Sequence, residues 1–353
     1  MEKSNNNKNI KKKKSNKKKS DTYNEEIDEK RTTKKSKKKR KKKKTNFFVS
    51  LIRNTFIILF LLIIIFAALF YKSVEKNGGG IQGVLCTIFG QSVEDLSKLK
   101  PINVLLLGVS EDISTKLTDT IILCTYNPQK QTASMLSIPR DTFIGRNTET
   151  AKGTDKINSL YTKGVEKTVD AVEKITDVKI DYYIVVNTNA LIQIVDIIDG
   201  VKFDVPIDMK YDDETQDLHI DLNAGYQLID GKKAEQLLRF RHNNDGTSYP
   251  GNYGDNDFGR MKTQRAFITE TAKQIVDIKN LFKADEIVKT VFENIETNME
   301  KEDLYQYIPA VAGFDMEDIV SEQLPGNSEK CNELWFFLHN KNQTKEIVQN
   351  LGF

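Results

Sequence analysis

Apolar and polar positions divide this chain of 353 residues into three parts. Residues 1–46 contain almost no apolar side chains, whereas the stretch from about Asn54 to Tyr71 is almost entirely Ile, Leu, Phe and Ala. Together with Phe47–Ile52, this stretch is long enough to cross about 30 Å of hydrocarbon. Beyond residue 72, short apolar runs alternate with polar segments, as they do in folded domains.

The long apolar stretch predicts an uncleaved membrane anchor at residues 47–72. A signal peptide would be shorter and would end in small residues at a cleavage site, whereas Ala67-Ala68 is followed here by Leu69-Phe70-Tyr71. The glycine-rich segment at residues 76–80 has the composition of a flexible joint. We therefore predict an extracytoplasmic linker at 73–99, a main domain at 100–280, and a helical extension at 281–353 that packs on the same domain.

Beyond residue 100 the apolar period switches between that of strands and that of helices. Strand-length runs lie at Ile102–Val109, Thr120–Tyr126, Ala133–Ile138, Asp181–Val186 and Val201–Val205, with an edge strand at Glu333–Leu338. Helical periods cover Lys156–Lys163, Val165–Ile175, Ala190–Ile198, Gly231–Leu238, Phe258–Val276, Leu281–Asn294 and Lys301–Val311. The alternation predicts an α/β or α+β sandwich with a central sheet.

Charge is distributed very unevenly along the chain. Residues 1–46 carry 21 Lys/Arg and 6 Asp/Glu, so this segment has a net charge of +15 and the remainder −12. The segment is too polar to offset its chain entropy by burial, so we predict a disordered tail. A lysine-rich tail is compatible with nucleic-acid binding. We favour a cytoplasmic tail that touches anionic lipid, because a membrane span follows at once and positive charge stays on the cytoplasmic side.

Three cysteines are too few and too scattered for a metal site. Cys124 lies in a strand-like run and is expected to be an inert thiol of the core. A disulfide between Cys86 and Cys331 is left open.

Four arginines stand at the ends of structured segments. Arg140 follows the apolar run at 133–138, Arg239 and Arg241 follow a predicted helix, and Arg260 opens another. Guanidinium groups match phosphate oxygens in pairs and stay charged, so these positions are candidates for phosphate binding.

Each arginine also has an ordinary interpretation. Arg140 could form a surface ion pair with Asp141, and Arg239 with Arg241 could be the cationic last turn of a helix. Those two residues would point to one side on an extended segment and diverge on a helix. Arg260 and Gln264 share a helix face, which could simply be solvated.

The order of short motifs resembles the LytR-CpsA-Psr family of cell-wall glycopolymer transferases over most of residues 100–280. The motifs that carry the resemblance are Leu105-Leu106-Leu107-Gly108-Val109, Thr118-Asp119-Thr120, Ser137-Ile138-Pro139-Arg140-Asp141, Lys156-Ile157-Asn158, Asp199-Gly200-Val201, Gly231-Lys232-Lys233-Ala234, Arg239-Phe240-Arg241 and Asp257-Phe258-Gly259-Arg260 with Gln264. The resemblance implies an α/β, three-layer-like sandwich in which helices flank a central mixed β-sheet, with a deep apolar pocket for a polyprenyl chain.

The resemblance further implies a membrane-anchored phosphotransferase. Such an enzyme moves a phosphoglycopolymer, teichoic-acid-like or capsular, from a polyprenyl-pyrophosphate carrier to a peptidoglycan hydroxyl, usually with Mg²⁺ or Mn²⁺. The expected pyrophosphate-binding residues are Arg140, Arg239, Arg241, Arg260, Gln264 and Lys156. Arg140 and Asp257 are the expected catalytic residues, and Asp257 is either a base or the partner that orients Arg260.

The expected metal ligands are less complete than the arginine set. Asp119 matches the metal-binding aspartate of the family, but the second aspartate is replaced by Ser110, and Leu117 stands where an arginine is usual. Asp112 is the candidate substitute ligand. These departures motivate an alternative, in which the domain is a non-catalytic scaffold or regulator that binds polyprenyl phosphate or wall polymer.

The expected partners are the lipid-linked glycopolymer, peptidoglycan and lipid of the cytoplasmic membrane, without specific nucleic acid. A transcriptional regulator with a DNA-binding tail is disfavoured by the anchor and by the acidic remainder of the chain. We expect a single-pass protein of the cell membrane, with a cytoplasmic N-terminus and an extracytoplasmic domain. Two questions stay open: whether the apolar residues at 191–198 line a lipid tunnel or a core, and whether His242 touches phosphate or solvent.

Overall fold

The computed structural model describes residues 47–111, 116–254, 256–275, 277–281, 283–311, 314 and 318–353. The predicted disordered tail, residues 1–46, lies outside these described residues. The chain divides into two compact units, Met1–Leu59 and Phe60–Phe353. The described part of the first unit is helical, and the second unit contains the folded domain.

The predicted anchor is a single continuous helix, α1 (Phe47–Lys76). Its 30 residues span about 45 Å at 1.5 Å per residue. By length and composition, Val49–Lys76 is able to cross a membrane. The helix extends four residues beyond the predicted end at residue 72.

The segment predicted as an extracytoplasmic linker, residues 73–99, is helical over most of its length, and the predicted flexible joint at 76–80 is a tight turn. After α1 the chain turns sharply into α2 (Gly80–Phe89) and then into α3 (Val93–Lys98). The residues at 78, 79 and 80 all have positive φ, 94°, 69° and 59°, a region that glycine enters without steric cost. The glycine run therefore builds a tight corner, closed by a 2.9 Å hydrogen bond from the Gly79 amide to the Val74 carbonyl.

A mixed sheet of six strands forms the centre of the domain, in the order β10-β3-β2-β1-β4-β9. Its strands are β1 (Ile102–Glu111), β2 (Lys116–Asn127), β3 (Thr132–Ser137), β4 (Tyr182–Asn187), β9 (Ile295–Thr297) and β10 (Val320–Gln323). The β1/β2, β2/β3 and β4/β9 pairs are antiparallel, whereas the β1/β4 and β3/β10 pairs are parallel. This arrangement confirms the predicted mixed sheet.

Helices lie on both faces of the sheet. They are α4 (Val165–Thr176), α5 (Thr188–Ile197), α6 (Gly231–Arg239), α7 (Asn256–Ile275), α8 (Ile278–Leu281), α9 (Ala284–Asn294), α10 (Lys301–Val311) and α11 (Lys341–Asn350), with 3₁₀ turns at Thr148–Thr150, Gly153–Asp155, Ile157–Lys163 and Glu214–Gln216. Leu105 and Leu107 of β1 pack in one buried cluster with Val172 of α4 and Val348 of α11. Side chains alternate along a strand, so Leu106 points to the opposite face.

That opposite face carries a second buried cluster, which two small sheets of two strands each extend. β5 (Val201–Val205) pairs with β8 (Gly225–Ile229), and β6 (Met209–Asp213) pairs with β7 (Leu218–Leu222), both antiparallel. Buried residues alternate with exposed ones along β5 and β7. The sequence analysis predicted only β5 of these four strands.

The segment predicted as a helical extension with one edge strand, residues 281–353, contains more strands than expected. This segment contains α9, α10 and α11, but it also supplies β9 and β10 to the central sheet. It adds a further hairpin of β11 (Gly326–Cys331) and β12 (Leu334–His339), where one edge strand was predicted. Strands of three and four residues are too short to show a period of two, so the sequence pattern concealed them.

The cysteines are free thiols. Cys86 is buried with Leu96 and Ala310, whereas Cys331 is buried with Phe336 in a different cluster. The disulfide that the sequence left open is therefore absent. Burial raises the pKa of the Cys124 thiol to about 12, so this thiol stays protonated and unreactive.

Candidate functional site

A cavity of about 590 Å³ lies between the central sheet, α5 and α7. The end of α6 and the residues that follow it close one side. Charged side chains line one end of this cavity and apolar side chains line the other. We call these the arginine end (Asp119, Arg140, Arg239, Arg241 and Arg260) and the apolar end (Leu191, Ile194, Phe267, Ile268 and Ile275).

Strand register places Arg140 beside Asp119. In the antiparallel β2/β3 pair Ile122 lies opposite Ser137. Three residues back along β2 is Asp119, and three residues on from Ser137 is Arg140, so these two residues lie opposite each other. The Arg140 guanidinium forms an ion pair with the Asp119 carboxylate. Burial lowers the pKa of Arg140, but nearby carboxylates, Asp119 first among them, outweigh burial and raise it above its ordinary value.

Asp141 is not the partner of Arg140. It forms an ion pair with Lys156, with 2.7 Å between the Lys156 Nζ and Asp141 Oδ1 atoms. The Lys156 Nζ atom also lies 5.6 Å from the centre of the Phe336 ring. Lys156, a predicted pyrophosphate ligand, is not among the residues that line the cavity.

Arg239 and Arg241 reach the same cavity because the helix ends between them. α6 ends at Arg239, and Phe240 is extended with its side chain fully buried. Side chains on an extended segment alternate, so the two flanking arginines both point away from the core and line the cavity. The Arg239 Nη1 atom lies 2.9 Å from Glu235 Oε1, one turn earlier on α6.

Arg260 is the most deeply buried of the four arginines, with only 3% of its surface exposed. Its Nη2 atom lies 2.6 Å from Asp257 Oδ1, and the same oxygen lies 3.5 Å from the Nε atom of Arg241. Burial lowers the pKa of Arg260 to about 10 and also lowers that of Arg241. Both stay charged near neutral pH, and Asp257 is positioned to orient the pair.

Three buried donor atoms at this end make no hydrogen bond among the described residues. They are the Nε atoms of Arg140 and Arg260 and the Nη2 atom of Arg260, whose contact with Asp257 is an ion pair. A buried guanidinium donor without a hydrogen-bond acceptor is costly, because the donor has lost its water. An anionic ligand with several oxygen atoms would supply acceptors to both guanidinium groups.

The first turn of α7 explains the glycine of the Phe258-Gly259-Arg260 motif. A Cβ atom at Gly259 would lie 2.3 Å from the Tyr249 ring and 2.4 Å from the Gly254 carbonyl oxygen. Only glycine lets the helix approach the preceding loop this closely. That approach places Arg260 and Asp257 at the cavity.

Gln264 lies one turn after Arg260 on the same face of α7, and it is buried. Its Nε2 atom donates a 3.0 Å hydrogen bond to the Leu238 carbonyl oxygen in the last turn of α6. The contact braces the segment that carries Arg239 and Arg241.

The apolar end continues along the same face of α7. Residues 260, 264, 267, 268, 271, 272 and 275 all line the cavity, and from Arg260 to Ile275 the helix rises roughly 22 Å. On α5, Leu191 and Ile194 line the cavity, whereas Val195 and Ile198 are buried in the core. The apolar residues at 191–198 are therefore divided between the wall of the cavity and the core.

The metal ligands predicted from the sequence are only partly placed. Asp119 lies at the arginine end, and Asp112 lies outside the described residues. Within the part of the chain that the structure describes, no group of three or more His, Cys, Asp or Glu side chains is arranged to hold a metal ion. Mg²⁺ often binds through one or two carboxylates together with substrate phosphates and water, and Asp119 fits only a site completed in that way.

Comparison with known proteins gives the family. A sequence model of the LytR_cpsA_psr family matches residues 77–352, most of the chain. The chain belongs to this family. A curated relative, the polyisoprenyl-teichoic acid–peptidoglycan teichoic acid transferase TagU of Bacillus licheniformis, is 29% identical over 265 residues, which cover 74% of this chain and 80% of the relative. The enzyme of the same name from Bacillus cereus strain AH820 is 32% identical over 251 residues, 69% of this chain and 76% of that one.

Solved structures of LytR_cpsA_psr proteins confirm the fold. The crystal structure of Bacillus subtilis TagV superposes with a TM-score of 0.60 at 25% identity, covering 72% of this chain and 96% of that one. The family match begins at residue 77 and so includes α2 and α3, in agreement with the corner that replaces the predicted linker.

Several polar residues that line the cavity were not assigned to it from the sequence. Asn187 and Thr120 line the cavity, as does His242, for which contact with solvent was the other interpretation. Asn187 ends β4 and accepts a 2.8 Å hydrogen bond from the Ala190 amide, so it also caps α5. A polar residue directly after a buried strand was the available signal for Asn187.

Proposed function

We propose that this chain is a membrane-anchored phosphotransferase of cell-wall assembly. It moves a phosphoglycopolymer, teichoic-acid-like or capsular, from a polyprenyl-pyrophosphate carrier to a hydroxyl of peptidoglycan. The observation that carries the proposal is the division of one cavity into an arginine end and an apolar end. A polyprenyl pyrophosphate has the same division, and relatives along most of the chain are named as transferases that act on a polyisoprenyl-linked polymer.

The arginine end would hold the pyrophosphate. Phosphoryl transfer requires positioning and neutralisation of charge more than covalent help from the protein. The oxygen of the acceptor hydroxyl attacks the phosphorus that carries the polymer and gives up its proton to water, and the bond from that phosphorus to the bridging oxygen breaks. Polyprenyl phosphate leaves with the bridging oxygen, and Arg140, Arg239, Arg241 and Arg260 offset its negative charge.

Asp257 acts in this proposal as a positioning residue. Its carboxylate lies between the guanidinium groups of Arg241 and Arg260 and contacts both of them, so it fixes where they point. Gln264 has a similar role through the Leu238 carbonyl. Lys156 stays a proposed contact outside the cavity, with a smaller contribution.

A divalent cation, Mg²⁺ or Mn²⁺, is part of the proposal. Asp119 would hold it together with phosphate oxygens of the substrate, and Asp112 is the second proposed ligand. When bound, the cation would neutralise negative charge on the phosphates.

The alternative is a non-catalytic protein that binds polyprenyl phosphate or wall polymer. The observations that favour it are the replacements at Ser110 and Leu117 and the engagement of Asp119 by Arg140. In both cases α1 would be the membrane anchor, with the lysine-rich tail in the cytoplasm and the domain outside.

The test is a transfer assay with the full-length protein in detergent micelles. The substrates are a short-chain polyprenyl-pyrophosphate oligosaccharide, peptidoglycan fragments and Mg²⁺ or Mn²⁺, and the product is followed by mass spectrometry. We expect a phosphosugar-linked peptidoglycan adduct that Arg140→Ala abolishes and Arg146→Ala, at an exposed position, leaves unchanged. Tight carrier binding without adduct across polymers and metals would instead support the scaffold.

A further inference from the structure

We propose that α2 contacts the membrane surface directly. The contact would be an apolar stripe of the exposed Ile81 and Ile88 with the half-buried Val84, lying in the interfacial region of the bilayer crossed by α1. The proposal rests on the membrane span of the proposed function and is independent of the transfer chemistry.

The corner between α1 and α2 is closely packed. A Cβ atom at Gly83 would lie 2.5 Å from the Val74 carbonyl oxygen, so the two helices touch through their backbones. The Thr87 hydroxyl donates to the Ser73 hydroxyl at 3.2 Å and accepts from the Asn77 amide at 3.3 Å. Val74 and Asn77 are both buried here. α2 is therefore fixed to the end of α1.

Apolar side chains of α2 are buried to different extents among the described residues. Leu85 and Cys86 are buried, Cys86 in a cluster with Leu96 of α3 and Ala310 of α10. Ile81, Val84 and Ile88 follow one another at helical spacing, and the buried Leu85 lies at the edge of this stripe. Ile81 and Ile88 are 38% and 48% exposed. Exposure of this stripe to water is unfavourable, because apolar surface gains free energy when it is buried. The boundary between the lipid headgroups and the acyl chains can bury such a stripe.

The length of α1 beyond its apolar run places the stripe at the level of the lipid headgroups. The continuous apolar run ends near Tyr71, and Lys72, Glu75 and Lys76 follow. From Tyr71 to Lys76 the helix rises about 7.5 Å. The polar headgroup region of one leaflet is of similar thickness, roughly 5–8 Å. The bilayer is therefore the partner that the stripe meets, because α2 begins only four residues after α1 ends.

The contact would set the distance between the arginine end of the cavity and the membrane surface. Tyr126 of β2 packs on the cluster that contains Cys86, while Asp119 lies seven residues away on the same strand. Seven residues of strand span roughly 23 Å. If the turn between α1 and α2 and the helix α2 itself are both held at the membrane, the arginine end is kept at a fixed distance from them.

Fluorescence quenching in vesicles tests the contact. The full-length protein, with Trp335→Phe to remove its single tryptophan, is reconstituted in phosphatidylcholine vesicles that contain lipids brominated near the headgroup end of the acyl chains. Ile88→Trp is the reporter, and Val93→Trp, which is exposed and lies beside Gly78, is a second one. Leu228→Trp is the matched control, since Leu228 is also half exposed.

We expect the brominated lipids to cause at least about a twofold loss of fluorescence from Ile88→Trp and almost none from Leu228→Trp, because interfacial helices lie within bromine range. Equal, weak quenching of both reporters and the control would overturn the proposal. Leu69→Trp, an exposed position near the outer end of the apolar run of α1, reports insertion; if it is not quenched, both the span and the α2 contact are wrong. Transfer activity in the same vesicles, with α2 unquenched, would reject the contact alone and leave the proposed function in place.

Discussion

The two ends of the cavity are built in different ways. At the arginine end, each guanidinium has a carboxylate partner: Asp119 for Arg140, Glu235 for Arg239, and Asp257 for both Arg241 and Arg260. At the apolar end, side chains of α5 and α7 line the wall by helical repetition alone.

The difference shows how the two halves of one ligand would be recognised. Ion pairs fix the guanidinium groups before any ligand arrives, so the arginine end supplies directional, pre-organised contacts. Burial of a hydrocarbon chain is non-directional and scales with its area. We therefore expect substitutions at the arginine end to abolish reaction, and substitutions at the apolar end to change affinity according to chain length.

The largest effect is expected at Arg140. Arg140→Ala removes a charged donor from the reacting phosphates, so we expect kcat/KM for transfer to fall roughly 10²–10³-fold. The loss should be the same for carriers with short and long chains, because the chain does not contact this residue. A loss that depended on chain length would contradict the division of the cavity into two ends. Arg146→Ala is the matched control.

The next effect concerns the stability of the arginine end. Asp257→Asn leaves the buried Arg260 without its carboxylate partner, and breaking a buried pair costs about 3–5 kcal/mol in full burial. Asp257 is about one-third exposed, so solvent screening should reduce the loss in the free energy of unfolding to about 1–3 kcal/mol.

Urea denaturation of the full-length protein in detergent would measure this loss. The control is Glu94→Gln, which breaks the well-exposed Lys98–Glu94 pair and should change stability by less than about 0.5 kcal/mol. An Asp257→Asn protein as stable as the control would show that Arg260 does not depend on this carboxylate.

A smaller and selective effect is expected at the apolar end. Ile268→Gln removes apolar contact area worth about 1.4 kcal/mol, so binding of a long-chain carrier should weaken roughly tenfold. A carrier too short to reach α7 beyond Gln264 should bind as before. Isothermal titration with two chain lengths would measure both, with the exposed Val320→Gln as the control. Equal weakening of binding for both carriers would contradict the proposal that the apolar end binds the polyprenyl chain.

The smallest effect is expected at Lys156. Its Nζ atom is paired with Asp141, and the residue does not line the cavity. Lys156→Met should therefore lower kcat/KM by no more than about threefold. A loss as large as that of Arg140→Ala would show that the 139–156 region moves into the site when substrate binds.

The four arginines of the arginine end were all predicted from the sequence, whereas several strands and helices around them were not. Arg140, Arg239, Arg241 and Arg260 were assigned from their places at the ends of structured segments together with the resemblance to the LytR-CpsA-Psr motifs. Their carboxylate partners were mostly not foreseen, because the Asp119–Arg140 pair depends on strand register across 21 residues. The burial of Arg260 depends on how closely α7 approaches the loop before it, which no local pattern records.

Strands and helices were predicted correctly where the apolar pattern continues over many residues. β1 and β2 run for ten and twelve residues and were found. β6 contains Lys210, Asp212 and Asp213, and α11 has few apolar residues, so neither carried a strong signal. The glycines at 78–80 were interpreted as a flexible joint because composition alone does not distinguish a mobile segment from a tight turn with positive φ.

Photocrosslinking would test the central claim most directly. A polyprenyl pyrophosphate with a diazirine at the far end of its chain is irradiated with the full-length protein in detergent, and labelled peptides are identified by mass spectrometry. The account predicts label on the part of α7 from Phe267 to Ile275 and on α5 around Leu191 and Ile194, competed by unlabelled carrier and weakened by Arg140→Ala. Label confined to exposed apolar positions such as Tyr226 or Trp335, without competition, would contradict a cavity that holds the pyrophosphate at one end and the chain at the other.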